Sequence, residues 1–97
     1  MQRNLLTSIY FEKQNIYVNV YHEFNDGIEG LTKYEEYTFS VINKKSLYSY
    51  SLTFNRNFNV NSAIEDIIKN KDELDSNNIN IVDFYSKVKE ICYKYKQ

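Results

Sequence analysis

From Ile16 to Phe24 the chain alternates without a break. Ile16, Val18, Val20, His22 and Phe24 fall on one side of an extended backbone, and Tyr17, Asn19, Tyr21 and Glu23 on the other. A helix would scatter these apolar residues around its axis, so the segment reads as a strand with two different faces. Residues 5–11 read as its partner. A turn over Lys13-Gln14 sets Phe11 opposite Ile16, Ile9 opposite Val18 and Thr7 opposite Val20, all on the apolar side. The same register sets Tyr10 opposite Tyr17 and Leu6 opposite Tyr21 on the other side.

A second hairpin is expected from residues 35–42 and 47–54. A turn at Lys44-Lys45 pairs Val41 with Tyr48, Phe39 with Tyr50 and Tyr37 with Leu52. On the opposite face Ser40 meets Ser49, Thr38 meets Ser51 and Glu36 meets Thr53. A slip of one residue would set Phe39 against serine and mix the faces. Neither turn contains Asn-Gly or Asp-Gly, so four-residue loops keeping the same pairings are an equal alternative. Gly27 and Gly30, the chain's two glycines, both lie between the hairpins. Asp26-Gly27 is a turn signal, and the pair points to positive φ angles there.

The period then changes. Ser62 with Glu65 reads as a capping box, followed by Ile64, Ile67, Ile68 and Leu74 along one side. Asn80 reads as the cap of a second helix, with Asp83 in its first turn. Ile81, Phe84, Tyr85, Val88, Ile91, Cys92 and Tyr95 form its apolar stripe, and lysines at 87, 89, 94 and 96 its wet side. The expected fold is therefore α+β in a single domain spanning residues 1–97. Two consecutive hairpins build a four-stranded antiparallel sheet, and two helices pack on one face of it, in the order β-β-β-β-α-α.

Composition narrows the function. Hydrophobic residues make up 42% of the chain, ample for a core, and the formal charge of −1 argues against a strongly basic nucleic-acid binder. Cys92 is the only cysteine, which points to a reducing compartment, and no apolar run approaches a membrane span. The first residues turn polar too early for a secretory signal, so a cytoplasmic location is expected, the host cytoplasm if the gene belongs to a phage. Asn, Lys, Ile and Tyr account for 43 of 97 residues, and all four have A/T-rich codons. An A/T-rich genome, that of a bacterium, its phage or another mobile element, explains how many tyrosines there are but not where they sit.

No glycine-rich phosphate loop, nucleophile–base set or useful pair of glutamates is present, so no catalytic residue, metal site or cofactor is expected. His22, the only histidine, lies on the apolar strand face without a second His or Cys nearby and reads as structural. Cys92 lies in the apolar stripe of the last helix and reads as a small buried hydrophobe.

The tyrosines divide by face. Tyr37, Tyr48, Tyr50, Tyr85 and Tyr95 are assigned to the core, while Tyr34 and Tyr93 fall in neither group. Tyr10, Tyr17 and Tyr21, with Leu6, face away from the helices and form a candidate contact surface for a protein partner or a second copy of the chain. Paired tyrosines that merely stabilise a solvated sheet face are the plain alternative. Asp26, Glu29, Glu35 and Glu36 join Glu23 in an acidic stretch between the hairpins, and Lys13, Lys44 and Lys45 mark the hairpin tips at the other end. That layout would orient a charged partner.

In size, composition and layout the chain resembles small phage-encoded inhibitors of bacterial defence, including anti-CRISPR proteins. No motif carries the resemblance, and no residue role is transferred from it. It implies a non-enzymatic inhibitor that occupies a surface of a host protein, a nucleic-acid-binding defence protein among the options, with acidic side chains imitating phosphates. Two alternatives stay open. Sheet tyrosines could stack on single-stranded nucleic acid, although direct nucleic-acid binding fits the charge less well. An antitoxin or toxin-immunity protein would present the same surfaces and is told apart by its neighbouring gene.

Overall fold

A computed structural model describes residues 2–25, 27, 33–76 and 79–97. Strands β1 (Gln2–Phe11), β2 (Ile16–Asn25), β3 (Tyr34–Asn43) and β4 (Ser49–Asn55) form one antiparallel sheet in the order β1-β2-β3-β4. Helices α1 (Val60–Lys69), α2 (Lys71–Leu74) and α3 (Ile81–Tyr93) follow. The α+β architecture is the expected one, with the single turn α2 added between the two longer helices.

The first hairpin keeps the expected register from Phe11↔Ile16 to Thr7↔Val20, closed by a four-residue loop rather than a two-residue turn. Asn15 completes that loop at φ 55, a conformation asparagine tolerates. Beyond Thr7 the register shifts at a β-bulge, and Leu5, not Leu6, pairs with Tyr21. The extra residue reverses the facing of everything before it on β1.

The second hairpin differs from expectation by two residues. Val41 pairs with Tyr50, Phe39 with Leu52 and Tyr37 with Phe54, while Ser40, Thr38 and Glu36 meet Ser51, Thr53 and Asn55. The cause is the loop. Asn43 donates its N–H to Tyr48 O at 2.9 Å, and its side-chain oxygen accepts from the N–H groups of Lys45 and Ser46, both at 2.9 Å. Residues 44–47 are thereby closed off, with Leu47 at φ 63. A two-residue shift leaves every side chain on its own face, so alternation cannot detect it. It moves Tyr48 out to 70% exposure and leaves Tyr50 at the rim. Phe54 is buried in their place, stacked on Phe58 at 4.1 Å.

Helix α1 starts earlier than the Ser62 capping box implied. Asn59 is the cap, its side chain accepting the Ser62 N–H at 3.3 Å, so Val60, Ala63 and Ile67 face the core and Ile68 turns outward. Asn80 caps α3 as expected, accepting the Asp83 N–H at 2.9 Å. Phe84, Val88, Ile91 and Cys92 are buried, with Ile81, Tyr85 and Tyr95 packed at the margin. The core lies between this helical layer and Phe11, Ile16, Val18, Val20, Phe39 and Val41 of the sheet.

A polar clasp joins the β1–β2 loop to the helices. Asp75 accepts the backbone N–H groups of Lys13 and Gln14 at 3.0 and 3.3 Å. The buried Gln14 side chain donates to Leu74 O and accepts from the Ile79 N–H. Burying an amide is tolerated here because it is satisfied at both ends.

Candidate functional site

The helices cover one face of the sheet and leave the other open. On that open face β1 and β2 present a continuous set of large side chains. Tyr10 and Tyr17, directly opposite each other, stack with ring centroids 4.6 Å apart and planes 28° from parallel. The Lys44 ammonium, from the β3–β4 loop, lies 5.4 Å from the Tyr10 ring. Toward the other end, the Ser8 hydroxyl donates to the Asn19 side-chain oxygen, and the Asn19 amide reaches the Tyr21 hydroxyl at 3.5 Å. The Arg3 guanidinium sits 3.7 Å above the Tyr21 ring, and its Nε is 3.4 Å from Glu23 Oε1. The half built by β3 and β4 is made of Thr38, Ser40, Ser51 and Thr53, with Ile42 opposite Tyr17.

The bulge completes this surface. Carried on without it, the hairpin register would turn Arg3 and Leu5 inward. With it, Leu5 faces Tyr21 and Arg3 faces Glu23, so the guanidinium reaches the tyrosine ring. Leu5 and Leu6 stand 57% and 45% exposed beside the tyrosines, making an apolar cluster larger than Leu6 alone would give.

The structure thus brings Tyr10, Tyr17 and Tyr21 together on the open face and separates the acidic residues. Glu36 lies on the tyrosine face directly opposite Glu23. Its pKa is raised by burial and then by that like-charged neighbour. Glu35 points to the helix side of the sheet, where its Oε1 meets His22 Nε2 at 3.1 Å. The alternation of residues 35–42 already carried that distinction, since Glu35 shares a parity with Tyr37 and Glu36 with Thr38. Asp26 and Glu29 lie outside the described residues, as does Gly30; Gly27 has the expected positive φ, 73°.

His22 is held between the rings of Phe24 and Tyr37, each centroid 5.0 Å away. Burial first, and Glu35 second, raise the Tyr37 pKa. Among the described residues no group of three or more His, Cys, Asp or Glu could hold a metal ion. Cys92 is buried, and burial pushes its thiol up to about 12, with Asp66 adding to the effect. Tyr95 donates to Asp66 Oδ2 at 2.7 Å, a bond that lowers the carboxyl's pKa and raises the phenol's.

A second exposed aromatic strip follows β4 and α3, and sequence reasoning missed it. Tyr50 packs on Tyr85 at 5.3 Å, and the Tyr85 hydroxyl donates to Ser51 O at 3.3 Å. Tyr93, 48% exposed, has the ammonium groups of Lys89 and Lys96 within 5.4 and 5.2 Å of its ring. Tyr50 reaches this strip, and Tyr48 its exposed position, only through the two-residue register difference, which no local pattern announces.

The open face offers aromatic rings with hydroxyl tips, amides and a guanidinium on a rigid sheet. Tyrosine and arginine are the residue types enriched in the cores of protein interfaces. Comparison with protein-family models, with curated proteins and with solved structures finds no match for the chain.

Proposed function

We propose that this protein is a small non-enzymatic binding module that acts by covering a surface of a partner protein with its open sheet face. One observation carries the reading: on the face the helices leave open, Tyr10 and Tyr17 are locked by stacking and Tyr21 by the Asn19 bond and the Arg3 guanidinium, with the exposed Leu5 and Leu6 on the adjoining stretch of β1. Side chains fixed before binding lose little entropy on binding. Glu23 and Glu36 at one end of the face suit a basic partner surface, such as that of a nucleic-acid-binding defence protein, in line with the resemblance to phage-encoded inhibitors. Among the described residues no helix is long and apolar enough to cross a membrane, and the proposed site of action is the cytoplasm.

Direct binding of single-stranded nucleic acid is the weaker reading. The Tyr10–Tyr17 stack flanked by Lys44 favours it, but the Tyr21 ring is already covered by a guanidinium that Glu23 partly neutralises. Affinity capture from the native host, with the wild type and a Tyr17→Ser/Tyr21→Ser variant side by side, tests the proposal. A protein captured by the wild type and lost with the variant supports it. Capture of the same protein at undiminished yield by the variant refutes it. Retention of labelled single-stranded RNA or DNA that falls steeply with salt would put the nucleic-acid reading first.

A further inference from the structure

The open face is complementary to itself, and we infer that it pairs two copies of this chain as an isologous dimer. The inference rests on the reading of that face as a docking surface, for which a second copy competes with the host partner. The apolar residues lie along β1 and β2, while the charges sit at opposite ends of the strands. Lys44 stands at the loop end, beside Tyr10. At the far end Glu23 and Glu36 face each other across β2 and β3, and the one guanidinium there, Arg3 of β1, pairs with Glu23 alone. Among the described residues no carboxylate lies within ion-pair distance of Lys44, and no cation lies within that distance of Glu36.

Consider two such faces brought together by a two-fold axis that lies between them and runs across the strands. The operation turns the strands end for end but keeps β1 over β1. Tyrosines and leucines of one copy then meet those of the other. Lys44 of each copy meets the Glu23–Glu36 end of its mate, where it relieves the like-charge pair. The alternative two-fold, along the strands, would set lysine on lysine and glutamate on glutamate. Twisted sheets pack face to face with strands within about 30° of alignment, so this contact is an ordinary sandwich. Three ten-residue strands of about 34 Å and the seven-residue β4 of about 24 Å, at about 4.8 Å spacing, give a projected face of roughly 600 Å². With side-chain relief added, that approaches the roughly 800 Å² per partner of a standard interface.

Sedimentation equilibrium of the full chain tests the inference, with Lys44→Glu, Glu36→Lys and their equimolar mixture. The wild type is expected at twice the monomer mass, dissociating as salt is raised. Each charge reversal occurs twice in a symmetric contact, so each variant alone should associate roughly a hundredfold more weakly, about tenfold per contact. Mixing the two variants should restore the dimer, because every altered end then meets its opposite. Circular dichroism of each variant checks folding. Should Glu36→Lys fail to fold, Lys44→Glu with Glu23→Lys serves as the pair. A monomeric wild type, or a mixture that stays monomeric, overturns the dimer. Failure of the dimer with host capture still lost in Tyr17→Ser/Tyr21→Ser would leave the docking reading standing. A dimer combined with unchanged capture would do the reverse.

Discussion

The register of the second hairpin decides which aromatic residues hold the fold together, and two substitutions read it out. Phe54 is 7% exposed, stacks on Phe58 at 4.1 Å, and meets Phe39 and Tyr93 edge-on with centroids 6.1 and 6.0 Å away. Truncating a buried Phe costs about 3–5 kcal/mol through lost transfer energy and the cavity left behind. Losing the aromatic geometry adds about 0.5–1 kcal/mol. For Phe54→Ala, about 4 kcal/mol is therefore expected. A domain of this size has only about 5–15 kcal/mol of stability, and its melting temperature should fall by roughly 15–30 °C. Tyr48, 70% exposed, has little to lose, and Tyr48→Ala should fall within about 0.5 kcal/mol of wild type. Urea titrations of the three proteins, with slopes compared to confirm a common unfolding transition, measure both values. Pairing Val41 with Tyr48 would bury Tyr48 and push Phe54 toward the strand end, reversing the order. A Tyr48→Ala loss equal to or larger than that of Phe54→Ala would refute the register argued from the Asn43 loop.

Leu47 holds φ 63 with its side chain 74% exposed, so Leu47→Asn should relieve left-handed strain of about 1 kcal/mol and raise the urea midpoint; a lower midpoint would contradict this. Asp66 has its folded pKa held down, chiefly by Tyr95, so it contributes stability that is present above the unfolded carboxyl value and lost as pH falls through the folded one. Tyr95→Phe should therefore destabilise at neutral pH and flatten the acid limb of a stability–pH curve; a parallel, unflattened limb would show that the Tyr95 bond is not the cause. With its thiol buried and pushed up to about 12, Cys92 should react with a disulfide reagent at pH 8 only as fast as the protein unfolds. Immediate stoichiometric labelling of the native protein would show that the thiol is open.

Alternation and helical stripes were enough to place every main element, because burial selects the face on which each side chain lies. They were silent on shifts that preserve parity. The Asn43 side chain, capping two backbone donors of its loop, moved β4 by two residues without moving any residue to the other face. Tyr48 and Tyr50 left the core for that reason. The start of α1 was lost to a similar local competition, with Asn59 outranking Ser62 as the cap. A bulge is harder still to read, since it breaks parity and leaves no composition signal in a segment such as Gln2–Thr7. Yet the open face depends on it. In an unbroken ladder Arg3 would point inward beside Phe24, Leu5 inward beside His22, and the Tyr21 ring would have no cation over it. One extra residue places an apolar side chain and a guanidinium on the same face as three tyrosines. Arg3 and Leu5 therefore owe their place on the open face to a backbone irregularity, whereas Tyr10, Tyr17 and Tyr21 owe theirs to plain strand alternation.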